Sequence, residues 1–207
     1  MKTLLVITLL FISPAFCIAQ CSNPFYAYKE GTTFTMEHYD AKDKLTGSQT
    51  TKVIAFNETA TGYVATIAFS FFYKKGIEQY SDEYELECKD GTIHIDLNYI
   101  IPKESMEAFE DMEVDMVMDE LEFPSDLEVG DFLDDAHFSM EVKNSPVGMK
   151  YTMDVVDRVV DGKESITTPA GTFDCYKISE RMQMKMMISN RSFTSATYLV
   201  EKYGAVK

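Results

Sequence analysis

The side chains that could perform acid–base or nucleophilic chemistry are scattered along this chain. His38, His94 and His137 are the three histidines, and each lies alone in or beside a strand-like segment. No G-x-S-x-G nucleophile elbow, HExxH helix, P-loop or glycine-rich dinucleotide turn occurs in the sequence. We therefore expect a protein that is not an enzyme, has no catalytic residues and uses no cofactor.

A block of acidic residues is the strongest sequence candidate for cation binding. Residues 104–135 contain fourteen Asp and Glu and no Lys or Arg, and clustered carboxylates are the ligands that Ca²⁺ prefers. Asp131, Asp134 and Asp135 form the densest local group. However, the Asp-x-Asp-x-Asp-Gly order of a calcium loop is missing, and within residues 20–207 no Cys has a Cys or His at zinc-ligand spacing. A solvated acidic surface is the expected interpretation, so no metal site is predicted.

The overall charge limits the class of partner. The formal net charge is −15, whereas nucleic-acid binding requires a basic face. Nucleic acid is therefore excluded, and the acidic block instead suits a protein partner of the cell envelope.

Methionine is unusually frequent, and its positions suggest a binding face. The chain has thirteen methionines. In each of two strand-like segments, alternate residues, several of them methionines, lie on one face. Such a face can be ordinary core packing, a flexible wall for an apolar small molecule or lipid, or a thioether cluster for Cu(I). The candidate ligand-binding residues are Tyr151, Met153, Tyr176, Ile178, Met182, Met184 and Met186.

The N-terminus predicts export. Lys2, an apolar stretch, Pro14 and small residues near Ala19 form a secretory signal over residues 1–19. No later segment approaches the roughly 18 apolar residues that a membrane span needs. We expect a periplasmic or secreted protein that is soluble after cleavage. A lipid on Cys21 is the alternative, although Gln20 is larger than the residue that usually precedes a lipidated cysteine.

Three cysteines remain after removal of the signal: Cys21, Cys88 and Cys175. In an oxidising compartment one pair can form a disulfide, and one thiol is then left over. The sequence leaves open which two residues pair.

Residues 20–207 are predicted to form one all-β domain. Alternation of apolar and polar residues indicates about ten mainly antiparallel strands, arranged as a strongly curved meander or a half-open barrel. Asp90 with Gly91, Asp161 with Gly162, and residues 169–172 are the predicted hairpin turns. One short helix is predicted near residues 102–110, where Pro102 begins the helix and Glu104 lies near its positive end.

Three segments resemble a known group of proteins: "CSNPFYAYKEGTTFTMEHYDAKDKLTG", "MEVDMVMDELEFPSDLEVGDFL" and "GKESITTPAGTFDCYKI". Together they resemble exported bacterial proteins of the TapB-like group, related to a family of unknown function that is frequent in Bacteroidota. The resemblance implies an antiparallel β-rich fold and a periplasmic or secreted location, and it brings no activity. In similar proteins a further strand pair follows a segment like "TYLVEKYGAVK", so a chain that lacks its last strands is an alternative.

Two functions follow from these observations. The first is an exported, non-enzymatic β-protein, a binding or envelope-associated module that holds an apolar or lipid-like ligand on its concave face. The alternative is a structural or protein-interaction module, with a core filled by its own side chains and an acidic surface that faces a partner.

Substitution of Gly171 and of Cys175 tests the predicted turn. We expect Gly171→Val to destabilise the fold because it forces a β-branched residue into the turn, and Cys175→Ala to be tolerated because the thiol is packed, not reactive. Urea denaturation measures both effects. Rapid maleimide labelling of Cys175 in the native protein would contradict the buried thiol.

Overall fold

The computed structural model describes residues 21–97, 112–143, 148–186 and 188–207. These residues contain twelve strands in two six-stranded antiparallel sheets. The predicted all-β, strongly curved architecture is confirmed, with about two more strands than expected. The helix predicted near residues 102–110 lies outside the described residues. Nowhere in the described ranges is there a helix with the length and hydrophobicity that a membrane span requires.

The first sheet is a meander to which one short strand is added. Its strand order is β1-β2-β3-β4-β5-β7. The strands are β1 (Thr33–Tyr39), β2 (Leu45–Glu58), β3 (Gly62–Tyr73), β4 (Glu78–Lys89), β5 (Thr92–Ile95) and β7 (Leu121–Phe123). The hairpin between β4 and β5 uses Asp90 and Gly91, both at positive φ, so this predicted turn is confirmed.

The second sheet has the order β12-β11-β10-β9-β8-β6. Its strands are β6 (Val114–Met118), β8 (Ala136–Val142), β9 (Lys150–Thr168), β10 (Gly171–Met186), β11 (Ser189–Val200) and β12 (Gly204–Ala205). The chain thus moves from the second sheet at β6 to the first at β7 and back at β8. Because of this exchange, residues near β7 lie next to the inner faces of both sheets.

The predicted turn at residues 169–172 is confirmed. Thr168 pairs with Gly171 across a two-residue loop, and Gly171 has a φ of +146°. The Cys175 side chain is completely buried. Burial raises the pKa of its thiol, and the negative charge of Asp174 raises it further.

The hairpin predicted at Asp161 and Gly162 is wrong, because β9 continues through both residues. Lys177 pairs with Gly162 and Ile178 with Val160, so Asp161 is an extra residue in the ladder. A β-bulge accommodates such an insertion and bends the strand. The Asp-Gly pair therefore bends a long strand where the sequence suggested a chain reversal.

The main core fills the space between the two sheets. Its members are completely or almost completely buried, and both sheets contribute to it. Val53, Ile67, Leu86 and Ile93 come from the first sheet, and Val160, Ile178 and Leu199 from the second. The segment before β1 adds three buried aromatic residues, Phe25, Tyr26 and Tyr28.

A disulfide joins the segment before β1 to the first sheet. Cys21 bonds to Cys88 at the end of β4, with a Cα–Cα distance of 5.7 Å, and Cys175 is the free cysteine among the described residues. Gly62 at the start of β3 packs directly against this bond. A Cβ added at Gly62 would overlap the Cys88 carbonyl oxygen and lie 2.6 Å from Cys21 Cβ.

This close packing makes Gly62 sensitive to substitution. We expect Gly62→Ala to lower the free energy of unfolding by about 2 kcal/mol, because an overpacked site forces the backbone to shift. Gly162→Ala is the matched control, since nothing lies within 4 Å of a Cβ added there. Urea denaturation of the oxidised proteins measures both. Equal stability of the two variants would contradict the packing described.

Candidate functional site

A buried arginine lies between the two sheets. Two residues of β9, Asp157 and Arg158, stand opposite Glu180 of β10, and Asp157 has a positive φ of 54°. This second bulge reverses the inward and outward positions along β9. It turns the Arg158 side chain, which is 0 % exposed, into the interior.

Backbone carbonyls and one carboxylate surround the Arg158 guanidinium. Its Nη1 donates to the carbonyl oxygen of Asp134 at 2.7 Å, and its Nη2 donates to that of Glu122 at 2.9 Å. Glu180 Oε2 lies 3.7 Å from Nε. Burial lowers the pKa of the Arg158 guanidinium, and the Glu180 carboxylate opposes this effect. The guanidinium is thereby fixed to β7, to the chain before β8 and to β10.

Glu180 is held from its other side by two hydroxyl groups of β11. Ser195 Oγ donates to Glu180 Oε1 at 3.1 Å, and Thr197 Oγ1 does so at 3.5 Å. The carboxylate is thus a fixed part of the interior and the buried counter-charge of Arg158.

The Arg158–Glu180 pair divides the interior into two apolar regions. Ile178 and Val160 belong to the main core on one side of the pair. Met182 and Val155 belong to a second cluster on the other side. The polar pair therefore separates the main core from the second apolar cluster.

Methionines dominate the sheet face beyond this pair. The face, called the methionine face below, is formed by inward residues of five strands, which cross-strand pairing places side by side. Its members are Val114, Met116, Met118, Phe138, Met140, Tyr151, Met153, Val155, Met182, Met184, Met186 and Phe193. Seven of these twelve are methionines.

The centre of the methionine face is covered and its margins are open. Met153 and Met140 are 4 % and 8 % exposed, whereas Met116, Phe193 and Met186 are 38 %, 46 % and 57 % exposed. Among the described residues, only Leu97, which follows β5, and Leu121 of β7 join this cluster from outside the second sheet. Exposed apolar side chains therefore lie beside a buried centre.

The structure separates the seven candidate ligand-binding residues into two groups. Tyr151, Met153, Met182, Met184 and Met186 lie together on the methionine face. Ile178 is fully buried in the main core, and Tyr176 packs against that core, with its ring 5.6 Å from the ring of Phe25. These two residues therefore lie on the far side of the Arg158–Glu180 pair.

Sequence reasoning missed the two charged residues at this boundary. Glu180 occupies an even position among Ile178, Met182 and Met184, so its place in the alternation already indicated an inward carboxylate. Arg158 gave no comparable signal, because regular alternation along β9 points Val159 inward. The bulge at Asp157 instead buries Val160 and Arg158 completely or almost completely.

The acidic residues considered for Ca²⁺ stabilise loops. Asp131 Oδ2 accepts a hydrogen bond from the Glu128 backbone N–H at 2.7 Å, and Asp135 Oδ1 accepts one from that of Asp157 at 3.1 Å. Asp131 and Asp135 thus have structural partners in the chain itself.

Two open surface grooves lie away from the methionine face. One, of about 420 Å³, lies at the loops that join β1 to β2 and β3 to β4. The other, of about 470 Å³, lies between residues 125–129 and the side chains of Lys163 and Tyr176. Neither groove is lined by a member of the methionine face.

Comparison with known proteins identifies the family. Residues 29–207 match the DUF3108-like family. The chain belongs to this family. The comparison with curated proteins found no match.

Two solved structures share the fold of this DUF3108-like chain. One is a proposed exported protein with a YmcC-like fold from Bacteroides fragilis, with a TM-score of 0.69, 21 % identity and 89 % of each chain covered. The other is a proposed lipoprotein from Parabacteroides distasonis, with a TM-score of 0.69, 21 % identity and 90 % of each chain covered. At this identity the likeness establishes the two-sheet fold.

Removing the negative charge of Glu180 tests the buried pair. We expect Glu180→Gln to lower the free energy of unfolding by about 3 kcal/mol, because it leaves the Arg158 charge buried without its counter-charge. Glu164→Gln is the matched control, since the Glu164–Lys177 pair is partly exposed and should change stability by less than about 0.5 kcal/mol. Urea denaturation compares the two. A cost at Glu180 no larger than that at Glu164 would contradict the role of the pair.

Proposed function

We propose that this protein is an exported, non-enzymatic β-protein that holds an apolar or lipid-like ligand on its methionine face. The observation that carries the proposal is the exposure of apolar side chains on the inward side of a curved sheet. Inward residues of a sheet are normally covered, and larger exposed apolar patches mark binding sites.

The composition of the face suits a ligand of variable shape. Methionine has an unbranched, polarisable side chain that adapts to irregular surfaces, and methionine-rich surfaces are typical of promiscuous binding sites. Tyr151 and Phe193 add flat aromatic area beside the methionines. Such a surface favours flexible hydrocarbon chains over rigid, polar molecules.

A cationic residue at the margin extends the proposal to amphipathic ligands. Arg191 pairs with Met184 and is exposed, so it lies on the same side of the sheet as the methionine face. It stands out in a chain of net charge −15. Its guanidinium suits the carboxylate or phosphate head of a lipid-like molecule.

The disulfide supports export. The Cys21–Cys88 bond is typical of oxidising compartments, and a Cys21 sulfur in that bond is not available to carry a lipid. The narrower assignment to the TapB-like group and a periplasmic or secreted location are parts of this proposal. They rest on the sequence segments quoted above and on the N-terminal signal.

A protein-interaction module is the second candidate. It is favoured by acidic side chains along the outer face of β4, where Glu83, Glu85 and Glu87 alternate with residues that point inward. In this case an envelope protein with a basic surface would bind the first sheet, and the methionine face would carry no ligand.

Adjacent substitutions on β6 distinguish the two candidates. Met116 and Val117 point to opposite sides of the sheet and are 38 % and 59 % exposed. We expect Met116→Lys to weaken binding of the uncharged probe N-phenyl-1-naphthylamine about tenfold, or about 1.4 kcal/mol. We expect Val117→Lys to leave binding unchanged, because it places the same charge on the outer side. Fluorescence titration measures both.

Native mass spectrometry of the purified protein and its organic extract complements the titration. A co-purified lipid supports the carrier function. No probe binding together with an empty extract, or equal effects of the two substitutions, would contradict it and favour the interaction module.

A further inference from the structure

Three potential metal ligands meet on the outer face of the first sheet. His94 lies on β5 directly opposite Glu122 of β7, and Glu120 immediately precedes β7. Each offers one ligand atom, and the three atoms all lie within 4.8 Å of one another. Sequence spacing gave no indication of this group, because His94 is more than twenty residues from both carboxylates.

The distances within the group fit a shared ion. His94 Nδ1 lies 2.9 Å from Glu120 Oε2 and 3.4 Å from Glu122 Oε1. Zn²⁺ binds imidazole nitrogen and carboxylate oxygen at about 2.0–2.2 Å. For ligand–metal–ligand angles between a right angle and the tetrahedral angle, such bonds separate nitrogen from oxygen by about 2.8–3.5 Å. The two observed separations fall within this interval.

The hydrogen bonding of His94 is the second, independent observation. Its Nδ1 is buried, yet among the described residues it has no hydrogen-bond partner. Both carboxylate oxygens are close enough, so they must lie away from the direction in which the ring N–H would point. His137 differs, since its Nδ1 makes a hydrogen bond of 2.5 Å to Asp154 Oδ1. Because the two carboxylate oxygens lie to the side of the direction in which His94 Nδ1 points, a metal ion can occupy that direction.

The surrounding charge and ligand type indicate the class of ion. Glu87 of β4 pairs with His94 from the other side, so a third carboxylate faces the group. This negative surface favours a cation, and an imidazole ligand favours Zn²⁺ and related transition metals over Ca²⁺ or Mg²⁺, which prefer all-oxygen sites.

We propose that His94, Glu120 and Glu122 bind a divalent transition-metal ion of the Zn²⁺ class. Three protein ligands leave a fourth tetrahedral position for water or an external ligand. The Glu120 side chain is 51 % exposed, so this position is open to solvent. The site lies on the opposite side of the first sheet from the core and does not depend on the ligand proposed for the methionine face.

The test is calorimetric titration of the tag-free, oxidised, chelator-treated protein with ZnCl₂ in a non-coordinating buffer. We expect one Zn²⁺ per chain, and no comparable binding of Ca²⁺ or Mg²⁺. Titration with Co²⁺ should give visible d–d absorption bands whose intensity reports the coordination number of the bound ion.

Substitutions locate the binding. We expect His94→Gln, Glu122→Gln and Glu120→Gln each to weaken Zn²⁺ binding more than about tenfold, a loss that even an outer-shell change can cause. Glu120→Gln keeps the test independent of folding because that side chain is exposed. His137→Gln is the matched control, since it removes the other histidine–carboxylate contact and should leave the affinity unchanged.

Three results would overturn the proposal. Absence of Zn²⁺ binding would mean that the group is only an ion pair of His94 with the carboxylates. Undiminished binding to the Glu120 and His94 variants would place the ion elsewhere. Tighter binding of Ca²⁺ than of Zn²⁺ would contradict the transition-metal class.

Discussion

Burial of the Arg158 guanidinium is the constraint on which the arrangement of the two sheets depends. A charged group removed from water is tolerated only when hydrogen bonds and a counter-charge replace its hydration. The carbonyl oxygens of Glu122 and Asp134 and the carboxylate of Glu180 provide this replacement, and the ring of Phe123 lies 5.1 Å from the guanidinium carbon. These groups come from both sheets and from the chain that crosses between them. The sheets can therefore close only where all of them reach Arg158.

The same constraint gives the two halves of the molecule different characters. On one side of Arg158, the disulfide and the aromatic residues before β1 close a core whose members are almost inaccessible. On the other side, the second sheet supplies nearly all of the second apolar cluster among the described residues, and its methionines are covered only in part. The described residues thus combine a closed half tied by a disulfide with a half whose apolar face is partly open.

Two-residue periodicity was sufficient to predict the all-β class, most strands and the common face of Met182, Met184 and Met186. It failed at Asp157 and Asp161, because each extra residue at a bulge reverses which side chains point inward. The short strands β7 and β12 were missed since two or three residues show no periodicity. Contacts between residues distant in sequence, such as Cys21 with Cys88 and His94 with Glu122, depend on the order of strands in the sheet. Local sequence patterns do not determine that order.

The division of the interior by Arg158 can be tested directly by NMR spectroscopy of protein labelled with [methyl-¹³C]methionine, titrated with N-phenyl-1-naphthylamine. Met36 of β1 lies in the first sheet and outside the methionine face, so it is an internal reference. The account predicts that the methyl signals of Met116, Met182, Met184 and Met186 shift together with a single affinity, while that of Met36 stays unchanged. Shifts at Met36 of the same size, or none at the four methionines, would contradict it.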